Sequence, residues 1–114
     1  MSVKLNTRQV GDVSVVDVAG RITLGEGSSA LRETLRDMVG KNQKKILLNL
    51  GDVSYIDSSG IGELVSGFTT VTNNGGQLKL LNLNKRVKDL LQITKLYTVF
   101  DVHGDEAHAI RSFT

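Results

Sequence analysis

The chain has 114 residues, 39% of them hydrophobic, and a formal net charge of +2. That size fits one domain, residues 1–114, with enough chain to bury a core. With no cysteine and no proline, disulfide scaffolds, thiolate metal sites, cysteine nucleophiles and proline-rich ligands are excluded.

Val3, Leu5 and Thr7 alternate with polar neighbours, and Val13-Ser14-Val15-Val16-Asp17-Val18 follows, running on through Ala19-Gly20-Arg21-Ile22. Two strands joined near Gly11-Asp12 form a hairpin. Gly25-Glu26-Gly27-Ser28-Ser29 breaks the pattern, with its last serine placed to cap a helix. Leu31, Leu35, Met38 and Val39 then mark one helical face, and Gly40 ends it.

Ile46-Leu47-Leu48-Asn49-Leu50 is a short apolar run, the pattern of a central strand covered on both faces. After the polar stretch that begins at Gly51-Asp52, Ile61, Leu64, Val65, Phe68 and Val71 share a helical stripe, which Gly75-Gly76 stops. Leu78-Lys79-Leu80-Leu81 reads as a strand, and Asn84 caps a short helix carrying Val87, Leu90 and Leu91. Tyr97–Val102 reads as a last strand, and Gly104-Asp105 opens a terminal helix with Ala107, Ile110 and Phe113. The order β-β-α-β-α-β-α-β-α predicts an α/β fold: a mixed sheet of four to five strands with about four helices packed on it.

Several chemistries find no support. The phosphate-binding P-loop and the dinucleotide fingerprint are both missing. His103 and His108 are spaced i, i+5, which does not put both on one helical face and predicts two ordinary surface histidines, with no metal site. Ser58 with Asp101 and His103 could supply a hydrolase triad. However, Ile56-Asp57-Ser58-Ser59-Gly60 lacks the first glycine of a nucleophile elbow. Lys85-Arg86-x-Lys88 is one short basic cluster, expected to be a solvated helix face. The 14 basic residues nearly balance 12 acidic ones, and only two tyrosines and three phenylalanines are present. No nucleic-acid partner is expected. The N-terminus has no apolar leader and no apolar run approaches about 20 residues. A cytoplasmic monomer with no membrane insertion and no cofactor is the expectation.

Asp57-Ser58-Ser59-Gly60-Ile61-Gly62 sits between a buried strand and an amphipathic helix. Helix capping accounts for the aspartate and serines. It does not account for Gly60 and Gly62, which cost roughly 1 kcal/mol each in a helix relative to alanine. Close approach of another protein or loop would explain them. The 33 residues from Ile46 to Leu78 contain no Lys, Arg or His, but hold Asp52, Asp57 and Glu63. Burial explains this in part. A phosphate on Ser58 would add about −1.5 to −2 charges. With no nearby arginine in sequence, that charge would stay exposed for a partner to read.

Leu48-Asn49-Leu50, Val53-Ser54-Tyr55-Ile56-Asp57-Ser58-Ser59-Gly60-Ile61-Gly62 and Gly75-Gly76-Gln77-Leu78 resemble the STAS domain, and more closely the bacterial anti-sigma factor antagonists. Val18-Ala19-Gly20-Arg21, Asn84-Lys85-Arg86-Val87 and Leu90–Leu96 extend the resemblance over nearly the whole chain. It implies a STAS fold without enzymatic activity. It also implies that Ser58 is phosphorylated by a serine/threonine kinase anti-sigma factor, with ATP bound by the kinase, and reset by a PP2C-type phosphatase. The unphosphorylated form would bind the anti-sigma factor and release a sigma factor. Asp57, Ser58, Ser59, Gly60, Ile61 and Gly62 would form the partner-binding segment. Thr23 departs from the pattern, because many relatives carry an aspartate three residues after the glycine matching Gly20. A second reading makes the chain a docking subunit of a stress-sensing complex or of a lipid-transport ABC system.

Overall fold

The computed structural model describes residues 3–113; the outer ends of the expected domain, Met1, Ser2 and Thr114, lie outside them. β1 (Val3–Val10) and β2 (Val13–Ile22) form the hairpin, with Gly11 at φ +61° in the two-residue turn. α1 (Glu26–Gly40), β3 (Lys45–Ile56), α2 (Ser58–Asn73), β4 (Gln77–Leu81), α3 (Lys85–Ile93), β5 (Val102–His103) and α4 (Glu106–Arg111) follow. The sheet order is β1-β2-β3-β4-β5; β1 is antiparallel to β2, and all other pairs are parallel.

β3 is central, as its apolar run predicts, but extends past Leu50 to Ile56. The strand does not stop at Leu50 but carries on through a bulge at Leu50-Gly51. Between the pairs Asp17–Asn49 and Ala19–Asp52, and again between Gly20–Val53 and Arg21–Tyr55, β3 spends one residue more than β2. A bulge changes which face a side chain meets. Here the spacing goes from two to three, so Leu48, Leu50, Val53 and Ile56 all enter the same core. The strand therefore delivers Asp57 to the far end of the sheet.

That main core packs Val16, Val18, Leu31, Leu35, Leu48, Leu64, Leu80 and Leu91 between the sheet and α1, α2 and α3. Val13, Val15, Leu47 and Leu81 point to the opposite face, where Ala109 of α4 and Phe113 cover them. The rest of that face is polar. Arg8 donates to Asp17 at 2.7 Å and to Glu106 at 2.6 Å, and Asn49 donates to Asp17 at 2.8 Å.

Two local expectations change. Gly25, not Ser29, is the N-cap of α1, and Ser28 and Ser29 lie inside the helix. Ser28 is buried and donates its N–H (3.0 Å) and hydroxyl (2.9 Å) to the Thr23 carbonyl, fixing the β2–α1 loop. The Tyr97–Val102 strand contracts to Val102–His103. Leu96 and Tyr97 donate their backbone N–H groups to the Leu91 carbonyl, so this apolar segment caps α3. Phe100 still reaches the core, edge-on to Phe68 at 5.5 Å.

Hydrogen bonds from Arg8 hold the Asp17 and Glu106 carboxyls below their ordinary range. A lowered carboxylate pKa contributes stability above about pH 4 and loses it as pH falls through the native value. Arg8→Gln should therefore be less stable than wild type at pH 7, with the gap closing towards pH 3. Urea unfolding at pH 7, 5 and 3 reads this directly; an unchanged gap at pH 3 would assign the Arg8 effect to packing instead.

Candidate functional site

The strand-to-helix junction 56–62 is built around Asp57. Its backbone is extended, which suits an N-cap, and its Oδ1 accepts the Gly60 N–H at 2.9 Å. Its Oδ2 accepts the Leu24 N–H at 3.2 Å. One carboxylate thus caps α2 and clips the β2–α1 loop, the loop that also holds Thr23. The Gly60 amide is the main reason the Asp57 carboxyl lies below its usual range. Ser58 and Ser59 are the first two residues of α2, so the cap is the aspartate and the Ser58 hydroxyl is left free of that task.

The two glycines have different roles. A Cβ on Gly60 would come within 3.0 Å of the Ile22 carbonyl oxygen, Ile56 Cγ1 and Ile22 Cγ2. The close approach is therefore internal: α2 starts directly against the end of β2. At Gly62 a Cβ would meet nothing within 4 Å, and the residue is exposed. Gly60 and Ile61 are buried, with Ile61 in the main core. Within the sequence-derived set, Ser58 and Gly62 reach the surface fully, whereas Thr23, Asp57 and Ser59 are half-buried.

Ser58 opens on a shallow groove of about 370 Å³ lined by Tyr55, Ile56, Asp57, Ser58, Arg86, Asp89, Leu90 and Ile93. Ile93 is 77% exposed on its rim, and Leu24, beside the Asp57 clip, is 79% exposed. The junction therefore joins a polar acceptor to apolar side chains that no described residue covers.

Sequence reading missed the contribution of α3. Its basic cluster is solvated as expected, but Arg86 also lies over the Tyr55 ring at 4.6 Å, with Arg21 over the same ring at 5.1 Å. Asn84 caps α3 by accepting the Val87 N–H at 2.9 Å and donates to the Val53 carbonyl, which docks the helix on the end of β3. An arginine thus enters the neighbourhood of Ser58 from 28 positions further along the chain. The expectation of a phosphate without a nearby cation holds along the sequence but not in space.

The hydrolase alternative does not assemble. Asp101 and His103 pair at 3.0 Å, yet no histidine lines the Ser58 groove. Ser112 approaches the same His103 Nε2 that already faces Asp101, so no serine–imidazole–carboxylate relay forms there. His103 and His108 do come together, Nδ1 to Nδ1 at 3.3 Å, because one is on β5 and the other on α4. Among the described residues no group of three or more His, Cys, Asp or Glu could hold a metal ion.

Comparison with known proteins agrees with this architecture. The STAS domain model matches residues 4–109. The anti-sigma-B factor antagonist of Bacillus subtilis is 34% identical over 102 residues, covering 90% of this chain and 92% of that protein. An anti-sigma factor antagonist from Mycobacterium paratuberculosis superposes with a TM-score of 0.87 at 19% identity, covering 98% of this chain and 94% of that one. The Bacillus cell fate determinant SpoIIAA, solved in its phosphorylated form, superposes with a TM-score of 0.74 at 19% identity, covering 95% and 97%. The chain belongs to the STAS domain family. No helix among the described residues is long and apolar enough to cross a membrane.

The glycine geometry gives a paired expectation. Gly60→Ala must push α2 off β2 and should cost about 1–3 kcal/mol, the range for overpacking a tight contact. Gly62→Ala has open space and should gain about 0.5–1 kcal/mol from helix propensity. Equal effects of the two in chemical denaturation would contradict this assignment. Asp57→Ala should cost about 1 kcal/mol through the lost cap and raise hydrogen exchange at both Gly60 and Leu24.

Proposed function

We propose that this chain is an anti-sigma factor antagonist, a binding protein and not an enzyme, switched by phosphorylation of Ser58. The observation that carries the reading is the exposed Ser58 hydroxyl at the first residue of α2, excused from capping by Asp57 and flanked by uncovered Leu24 and Ile93. The 34% identity to the B. subtilis anti-sigma-B factor antagonist supports it, as does the fold shared with SpoIIAA, a protein known in a phosphorylated form.

In this reading the unphosphorylated surface around Thr23, Leu24, Asp57, Ser58, Ser59 and Gly62 binds a serine/threonine kinase anti-sigma factor, which then gives up its sigma factor. Gly60 and Ile61 shape that surface from below. The kinase holds ATP. Ser58 Oγ attacks the γ-phosphorus, ADP leaves, and the hydroxyl proton passes to a base on the kinase. A PP2C-type phosphatase hydrolyses the phosphoserine, returning serine and inorganic phosphate.

The energetics are modest. A 100-fold loss of affinity needs about 2.8 kcal/mol. A phosphate forced against a desolvated partner surface can supply that, because desolvating a dianion whose charge is not fully compensated costs several kcal/mol. The fold need not move: Asp57 takes its hydrogen bonds from backbone amides, and the Ser58 hydroxyl makes no hydrogen bond with another side chain among the described residues.

Ser58→Ala and Ser58→Asp baits, used for co-purification from the native cytosol, test the proposal. Ser58→Ala should retain a kinase-fold anti-sigma factor, and Ser58→Asp should lose at least tenfold of it. Equal recovery on both baits would sink the switch. Recovery of an ABC ATPase with membrane subunits on both would instead favour the docking-subunit role.

A further inference from the structure

We infer that Arg86 is an internal counter-ion for phosphoserine 58, so that phosphorylation closes the groove between α2 and α3 with a phosphate–guanidinium pair. This deepens the proposed function and rests on Ser58 being the modified residue. Three observations carry it.

First, Arg86 and Ser58 line the same groove, of about 370 Å³. Second, Arg86 has no acidic partner among the described residues. The acid on its own helix, Asp89, faces the groove but is paired with Lys85 at 3.0 Å. The other acid in the groove, Asp57, already accepts backbone N–H groups on both oxygens. The Arg86 guanidinium is therefore free of a carboxylate among the described residues and rests on the Tyr55 ring at 4.6 Å. Third, Tyr55 is half-buried and carries Arg21 over the same ring at 5.1 Å. Two like charges over one ring leave Arg86 with a repulsive neighbour, which an arriving dianion would relieve.

The ligand chemistry fits. A guanidinium offers a planar fork of donors that matches two phosphate oxygens, which a lysine ammonium cannot do. Phosphoserine extends the serine side chain into the groove and adds three acceptor oxygens. Lys85 and Lys88 also lie on α3, but neither lines the groove. Pairing would withdraw Arg86 from any contact it makes with a partner. Phosphorylation would then both add negative charge at Ser58 and remove a cation from the adjacent rim.

The test is a ³¹P NMR titration of the full chain with phosphoserine installed at position 58 by genetic encoding. No kinase or partner is involved, so its outcome is independent of the co-purification result. A free phosphoserine loses its second proton near pH 6. Pairing with Arg86 should hold the wild-type midpoint below that value. Arg86→Ala and Arg86→Gln should each raise the midpoint by about half a unit or more, Arg86→Lys should fall between, and Lys88→Ala should leave it in place. Circular dichroism on each variant establishes that it is folded. Identical midpoints for wild type, Arg86→Ala and Arg86→Gln would overturn the proposal. An equal rise in Lys88→Ala would overturn it too, because the effect would then be the general field of a basic helix.

Discussion

The junction rests on one carboxylate. Asp57 accepts backbone N–H groups from two separate pieces of chain, Gly60 in α2 and Leu24 in the β2–α1 loop. The first bond caps the helix. The second holds a loop from the other side of β2 against the same point. A serine or asparagine could cap α2 as well, but the aspartate brings a full charge and two acceptor oxygens, enough for both amides. Because Asp57 does the capping, Ser58 is placed by the helix while its hydroxyl is left out of the cap. Under the proposed function, a residue modified without loss of fold needs that independence.

The carboxylate reaches its position because β3 is irregular. An unbroken alternation after Leu50 would turn Val53 to the opposite face of the sheet. The two bulges keep Leu50, Val53 and Ile56 on one face, the face that α2 and α3 cover. Gly60 then allows α2 to start against Ile22 without a side chain between them. Bulge, aspartate and glycine thus act together, and each would lose its purpose without the others. The opposite face carries no such demand. It has a smaller apolar patch under α4 and a polar network around Arg8, Asp17 and Asn49, which tie the hairpin to β3 and α4.

Elements with a strong local period were legible in the sequence: the hairpin, three of the helix faces, the cap Asn84, the start of the last helix at Gly104-Asp105, and the central run Ile46–Leu50. The misreadings arise where local pattern and tertiary context disagree. The strand Ile46–Leu50 reads too short, because beyond Leu50 it continues through a bulge held by β2. Tyr97–Phe100 has strand-like residues, yet its backbone bonds return to α3. Ser29 has the chemistry of a cap, but the helix starts earlier, at Glu26, with Ser28 fixed to Thr23. At the site, Asp57 and Ser58 were visible as a motif. Arg86 was not, because its approach depends on how Asn84 docks α3 on Val53, a contact 31 residues apart. The same limit hid the His103–His108 contact, since helical spacing says nothing about a pair split between a strand and a helix.

The charge pattern shows how far such a limit can mislead. Ile46 to Leu78 is empty of cations, which suggests a surface where any added negative charge stays uncompensated. The fold surrounds that segment with cations from elsewhere: Arg32 on Glu63, Arg21 and Arg86 on Tyr55. Arg32 is committed to a carboxylate, while the pair on Tyr55 has none among the described residues. A buried core strand and its helix must exclude charge, so cations that serve this region have to come from its borders. That arrangement separates stability from recognition. The apolar segment supplies the packing, Asp57 supplies the shape, and the arginines on neighbouring elements set the electrostatic surroundings of the serine. Changes in those arginines can then alter what a partner or a phosphate meets at Ser58 with little cost to the core that positions it.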